Sequence, residues 1–203
     1  MKRLTQITAV TDFFRSGTAP MKHLAVVTLM LNLGAAGIYA HQAQVNVKLK
    51  ASGTNVATTI DLQPGTITDE VNFAGRGTLG PFTYRELHAD TLSPQSSSTC
   101  VDGAGLYFPT LAGGGVFRFQ DGSLLNIVLT EGSLCVDLTA GVAHFTGAYK
   151  ITGGTRRFKS ASGALTLSST VNPVLFNASG NPALLTNAGE FEGTIVGVTG
   201  EEE

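Results

Sequence analysis

Apolar and polar residues alternate along most of the chain beyond residue 41. In residues 44–51, QVNVKLKA, Val45, Val47 and Leu49 fall on one face and Asn46, Lys48 and Lys50 on the other. That is the period of two of a strand with one wet face. Residues 54–63 repeat it more weakly. Residues 68–90 are long enough for one strand, or for two broken at Gly80-Pro81, since Pro81 has no N–H to give to a ladder. After a polar Ser/Pro-rich loop at 91–100 come a short apolar strand at 105–111, a glycine cluster at 113–115 and the runs VFRFQ and SLLNIVLT around Asp121-Gly122. That Asp-Gly pair predicts a hairpin with a tight type I′ turn. EGS (131–133), TAG (139–141) and NASGNP (177–182) read as further turns between the alternating segments 142–152, 164–176 and 189–197.

The pattern predicts about eight to ten strands with turn signals roughly every 8–12 residues and no helix after the leader. The expected fold is all-β, an antiparallel barrel or a β-sandwich.

Composition supports this and narrows the function. Hydrophobic residues make up 42% of the 203 residues and charged residues only 14%, which argues against intrinsic disorder. The formal net charge of −2 offers no basic field for nucleic acid, so no nucleic-acid partner is expected. Met21-Lys22-His23, the apolar run 24–38 and the small residue Ala40 read as a signal peptide over 21–40. The run is short and rich in Gly and Ala near its end, unlike a spanning helix, so no stable membrane insertion is expected after leader cleavage. Residues 1–20 are then an N-terminal extension or precede the true start, 41–200 form a single domain, and 201–203 are an acidic tail. Secretion, to the periplasm or the cell exterior, is the expected localisation. In that setting Cys100 and Cys135 read as a disulfide pair, with two buried free thiols as the alternative.

Residues 151–163, ITGGTRRFKSASG, resemble a motif of the allene oxide cyclase/dirigent-like β-barrel group, in which a strand is followed by Gly-Gly-Thr-Gly, a basic residue, Phe, then Ala and Gly. Gly153, Gly154, Thr155, Phe158, Ala161 and Gly163 match that pattern, and Arg156 stands at its third glycine. If that position needs positive φ, the arginine carries about 1–2 kcal/mol of strain. The resemblance implies an eight-stranded barrel with a cavity for a small apolar ligand. Plant members of the group cyclise an unstable epoxide or steer radical coupling; bacterial members are mostly exported proteins of unknown role. The match is to a structural turn, so it carries over no catalytic residue.

The most polar strand-like run is Tyr84–Asp90, YRELHAD. At period two Tyr84, Glu86, His88 and Asp90 share a face, and Arg85 lies on the other. Inside a barrel, Tyr84, Glu86 and His88 could bind or protonate a ligand. The default for so charged a row is the outer, solvated face. Arg118, between Phe117 and Phe119, is a further ligand-binding candidate if it points inward, with outward again the default. Arg156, Arg157 and Lys159 read as a solvated basic turn. Cleavage after Ala40 would leave His41 as an N-terminal copper chelate needing His88 or His144 as a second imidazole. Otherwise no metal and no cofactor is indicated. No Ser-His-Asp spacing, phosphate-binding glycine loop or H-E-x-x-H is present. Three functions follow as expectations: an exported barrel binding a small apolar molecule, an envelope or extracellular interaction module that self-associates into a homo-oligomer, and a cyclase or isomerase of the kind the resemblance implies.

Overall fold

The computed structural model describes residues 43–96, 100 and 105–200; the leader, the N-terminal extension, His41 and the acidic tail lie outside them. Eight strands follow in order: β1 (Val45–Thr58), β2 (Thr66–Gly77), β3 (Gly80–Thr91), β4 (Gly105–Phe119), β5 (Leu124–Asp137), β6 (Val142–Gly154), β7 (Ser162–Phe176) and β8 (Pro182–Val196). Each pairs antiparallel with its neighbours in sequence, and β8 closes on β1, so the sheet is a closed up-and-down barrel. Closure leaves no unpaired edge, which is what distinguishes a barrel from a sandwich. Among the described residues no helix is long and apolar enough to cross a membrane.

Several expected boundaries shift. Segment 44–51 and the first half of 54–63 merge into one strand, β1, because Gly53 and Asn55 stay in register with both β2 and β8, and residues 59–63 fall in the β1–β2 connection. The glycine cluster 113–115 lies within β4, and residues 131–133 lie within β5 beside a register shift rather than at a turn. The Asp121-Gly122 connection is a hairpin, but Gly122 alone takes positive φ (77°). The Gly122 N–H donates to the Phe119 carbonyl, and the Phe119 N–H to that of Ser123. This is a turn with a glycine bulge, in place of the type I′ turn expected, which needs positive φ at both residues.

The two ends of the barrel differ. The end carrying the β2–β3, β4–β5 and β6–β7 connections is plugged by aromatic rings. Phe82 meets Phe117 edge-on at 5.3 Å, and Phe119 meets Phe158 at 5.0 Å. Phe158 sits on a single 3-10 turn (Arg156–Phe158) that follows the Gly-Gly-Thr segment and is fully buried. Arg156 does adopt positive φ (51°). Its guanidinium donates to the Asp121 carbonyl. Arg157 is half-buried rather than solvated: it covers the Phe119 and Phe158 rings at 4.9 and 4.6 Å, donates to the Leu79 carbonyl at 2.8 Å and pairs with Asp121 at 2.8 Å. Two of the three basic residues therefore fasten the closed end, and Lys159 is exposed, with no ion-pair partner among the described residues.

Cys100 and Cys135 are disulfide-bonded, tying the β3–β4 connection to β5 near the opposite end. Such a bond is compatible with an extracellular or periplasmic location.

Candidate functional site in the barrel lumen

β3 places Tyr84, Glu86, His88 and Asp90 on its inner face, each between 1% and 4% exposed. The outward default for this row is thereby corrected. The reason is parity. Phe82 is committed to the aromatic plug and faces Phe119 across β4, so every second residue of β3 must follow it inward. The opposite face takes Arg85, which pairs with Glu70 on the outer wall. Arg118 is exposed between two inward phenylalanines, so it does not join the site. His144 is on the outer wall and His88 is in the lumen, so the two imidazoles are not placed together.

Glu86 is the hub. One carboxylate oxygen accepts the Tyr84 hydroxyl at 2.8 Å and the other the Tyr149 hydroxyl at 2.9 Å. His88 stands between two acids, with Nδ1 3.6 Å from Glu86 Oε1 and Nε2 3.5 Å from Asp90 Oδ2. At those separations neither contact is a formed hydrogen bond, and Nδ1 has no partner. The imidazole stacks on Phe145 at 5.1 Å. The other oxygen of Asp90 accepts the Thr110 hydroxyl at 2.5 Å. Asp69, half-buried on β2, faces His88 directly across the ladder.

β4 makes room for this row. Gly115 faces the Tyr84 side of the lumen, and a Cβ there would lie 2.5 Å from the Tyr84 ring and hydroxyl. On β1, β7 and β8 respectively, Asn55, Ser169 and Asn187 are buried, and the Asn55 and Asn187 Oδ1 atoms and the Ser169 Oγ have no protein partner.

Electrostatics follow from burial and proximity. Burial raises the Asp69 carboxyl above the usual carboxylate range, and Asp90 adds to this against the opposing pull of His88. Burial, then the adjacent Glu86 charge, lifts both the Tyr84 and the Tyr149 phenol, so each remains a hydrogen-bond donor. Burial alone would depress His88, but Asp90 and Glu86 on either side outweigh it and raise the imidazole well above its ordinary value.

Tyr84, Glu86 and His88 were legible candidates. Asp69, Thr110 and Tyr149 do not stand out in the sequence, although two of them carry a parity signal. Asp69 alternates with Val71 and Phe73, and Tyr149 with Phe145 and Ile151. No comparable signal marks Thr110, which joins the site through the register shift beside Asp90.

The polar cluster lies toward the end carrying the β1–β2, β3–β4, β5–β6 and β7–β8 connections. That rim exposes large apolar residues from all four: Ile60, Leu62, Leu92, Leu138, Leu175 and Phe176. A cleft of about 520 Å³ on the outer wall, against the disulfide, Tyr107 and His144, is separate from the cluster. No known protein family, curated protein or solved structure matches this chain.

Proposed function

We propose that the protein is an exported barrel that binds a small amphipathic molecule at its open end, polar group first. The observation that carries this reading is a buried polar row beneath a rim of exposed apolar side chains. The rim offers apolar area to the body of the molecule, and the lumen below offers hydrogen-bond partners to its head, the usual division of labour in a small-molecule site. The deep end is filled by aromatic rings, so the apolar part lies at the rim and only the head descends. The nature of the head follows from the donor inventory. Glu86, Asp69, Asp90 and the unpartnered oxygens of Asn55 and Asn187 are acceptors, whereas His88 is the one cationic group facing them. A hydroxyl- or amine-bearing head suits this wall better than a carboxylate. The signal-like leader and the disulfide support export.

Native mass spectrometry of detergent-free protein, titrated with a long-chain alcohol, the matching amine and the matching carboxylic acid, tests the reading. Binding of the alcohol or amine at one per chain, with the acid at least tenfold weaker, is the expected result. Equal binding of all three, or none, overturns it. Association of the chain with itself in place of ligand binding would favour the interaction-module alternative.

A second reading, a cyclase or isomerase of the kind the sequence resemblance implies, is favoured by one observation. Two phenol hydroxyls and an imidazole surround a single buried carboxylate. Such a set can hold and pass a proton at Glu86. Turnover of a bound molecule that disappears in Glu86→Gln, with binding retained, would support this reading; unchanged turnover would dismiss it.

A further inference from the structure

The lumenal cluster also carries a pattern that hydrogen bonding among its own members leaves unexplained. Asp69 and His88 are direct cross-strand partners, and Asp90 is two residues further along β3 on the same inner face. A carboxylate oxygen from each aspartate and a ring nitrogen of His88 all lie within 4.8 Å of one another. We propose that Asp69, His88 and Asp90 form a site for one divalent metal cation. One imidazole and two carboxylates make a mixed N/O donor set suited to zinc, manganese or iron(II); calcium, which takes six to eight oxygens, fits it poorly.

The spacing is the first argument. His88 Nε2 and Asp90 Oδ2, 3.5 Å apart, are too distant to bond each other. That is close to the separation of two ligands each about 2.1 Å from a shared ion. Support behind the ligands is the second. Nδ1 of His88 faces Glu86, itself held by two tyrosine hydroxyls, and Thr110 engages one oxygen of Asp90 while leaving the other toward His88. A hydroxyl behind the acid is an outer-shell partner of the kind that orients a metal ligand, and the Glu86 carboxylate, 3.6 Å from Nδ1, is near enough to become one as the ring settles on an ion. Charge is the third: three carboxyl groups face one imidazole, whose proton a bound ion would replace, with no Lys or Arg beside them among the described residues. The fourth is independent of the triad. Asn55, opposite Val71 and so diagonal to Asp69 across the β1–β2 ladder, is buried on the lumenal side with its Oδ1 unpaired. A buried acceptor that the chain leaves unpaired at this level is available to an ion or its bound water. Entry is from the end carrying the β1–β2 and β3–β4 connections, where Asp69 is half-buried.

The site shares Asp69 and Asp90 with the proposed binding function but does not need the organic ligand, so with the ligand titration run on metal-stripped protein the two can fail separately. The test uses the full exported chain, stripped with a chelator and titrated calorimetrically with Zn²⁺ and Mn²⁺ in the absence of any lipid. Co²⁺ absorption reports the coordination. One ion per chain, visible-band absorption on adding Co²⁺ and a raised melting temperature are expected. Asp69→Asn and His88→Gln should each weaken binding by more than tenfold, and Glu86→Gln, which removes only a supporting contact, by about 10–100-fold with the stoichiometry kept. Asp69→Asn, nearly isosteric and half-buried, keeps the test valid should the His88 variant fail to fold. No binding of any of the three metals overturns the proposal, as does unchanged affinity in folded Asp69→Asn protein.

Discussion

Glu86 is a carboxylate in the middle of a barrel whose other inner residues are largely apolar, and its burial costs several kcal/mol of lost hydration. The Tyr84 and Tyr149 hydroxyls offset that cost. A buried ionic group is a weak source of stability, since apolar residues of similar volume commonly serve as well. Its presence is therefore better explained by what it contacts than by folding. Removing one donor leaves the carboxylate half-satisfied, so Tyr149→Phe should destabilise the protein by about 1.5–3 kcal/mol in urea unfolding. A change below about 0.5 kcal/mol would mean that water replaces the phenol freely. At the closed end, Arg156 holds positive φ, which a side chain resists. Arg156→Gly and Arg156→Ala lose the same contact to Asp121, but only alanine keeps the strain. The glycine variant should be the more stable of the two by roughly 1 kcal/mol, and equal stabilities would contradict the strain.

At the scale of elements, β3 and β4 shape the site between them. Gly115→Ala would drive a methyl group into the Tyr84 ring, displacing its hydroxyl from Glu86 and costing about 1–3 kcal/mol. Thermal unfolding and the near-ultraviolet tyrosine signal should both change, and an unaltered tyrosine signal would show that the ring is not confined there. The hairpin between β4 and β5 has a pH signature. Burial would raise the Asp121 carboxyl, but the Ser123 N–H and hydroxyl, then the Arg157 and Arg156 charges, outweigh it and hold the carboxyl below the usual range. Because its folded value is the lower one, its contribution is present at neutral pH and lost as pH falls through that value. The stability gap between wild type and Asp121→Asn should therefore shrink from about pH 5 to about pH 2; a constant gap would contradict the ion pair. The strands themselves were legible from alternation, which left barrel and sandwich open; the closed eight-stranded barrel was what the resemblance at residues 151–163 implied. Boundaries were not. Glycines that read as turns at 113–115 and 132 sit inside β4 and β5, where their missing side chains make space for Tyr84, His88 and Thr110. A glycine that relieves crowding and one that turns the chain look alike in sequence.

At the scale of the molecule, one end of the barrel is fastened and the other is apolar at the rim and polar below. The disulfide ties the long β3–β4 connection at the apolar-rimmed end to β5 across a separation of 35 residues. Cys100→Ser with Cys135→Ser should lower stability by roughly 3–4 kcal/mol, measured by urea unfolding against the oxidised protein, and a negligible loss would mean that the connection is held by packing. The polarity of the ends explains why the site was only partly legible. A charged alternating row is more often outside than inside, and what places this one inside is the commitment of Phe82 to the plug, a contact visible only once β3 and β4 are in register. Tyr149 and Asp69 come from strands distant in sequence, and only barrel closure brings them to Glu86 and His88. The central claim, that the open end admits a molecule whose polar head reaches this cluster, is tested most directly by a crystal structure of the protein grown with a long-chain alcohol or amine. The account predicts density running from the rim into the upper lumen, with the head within hydrogen-bonding distance of Glu86, Asp69 or Asn55. A lumen closed over by its own side chains, with the ligand bound elsewhere or absent, would contradict it.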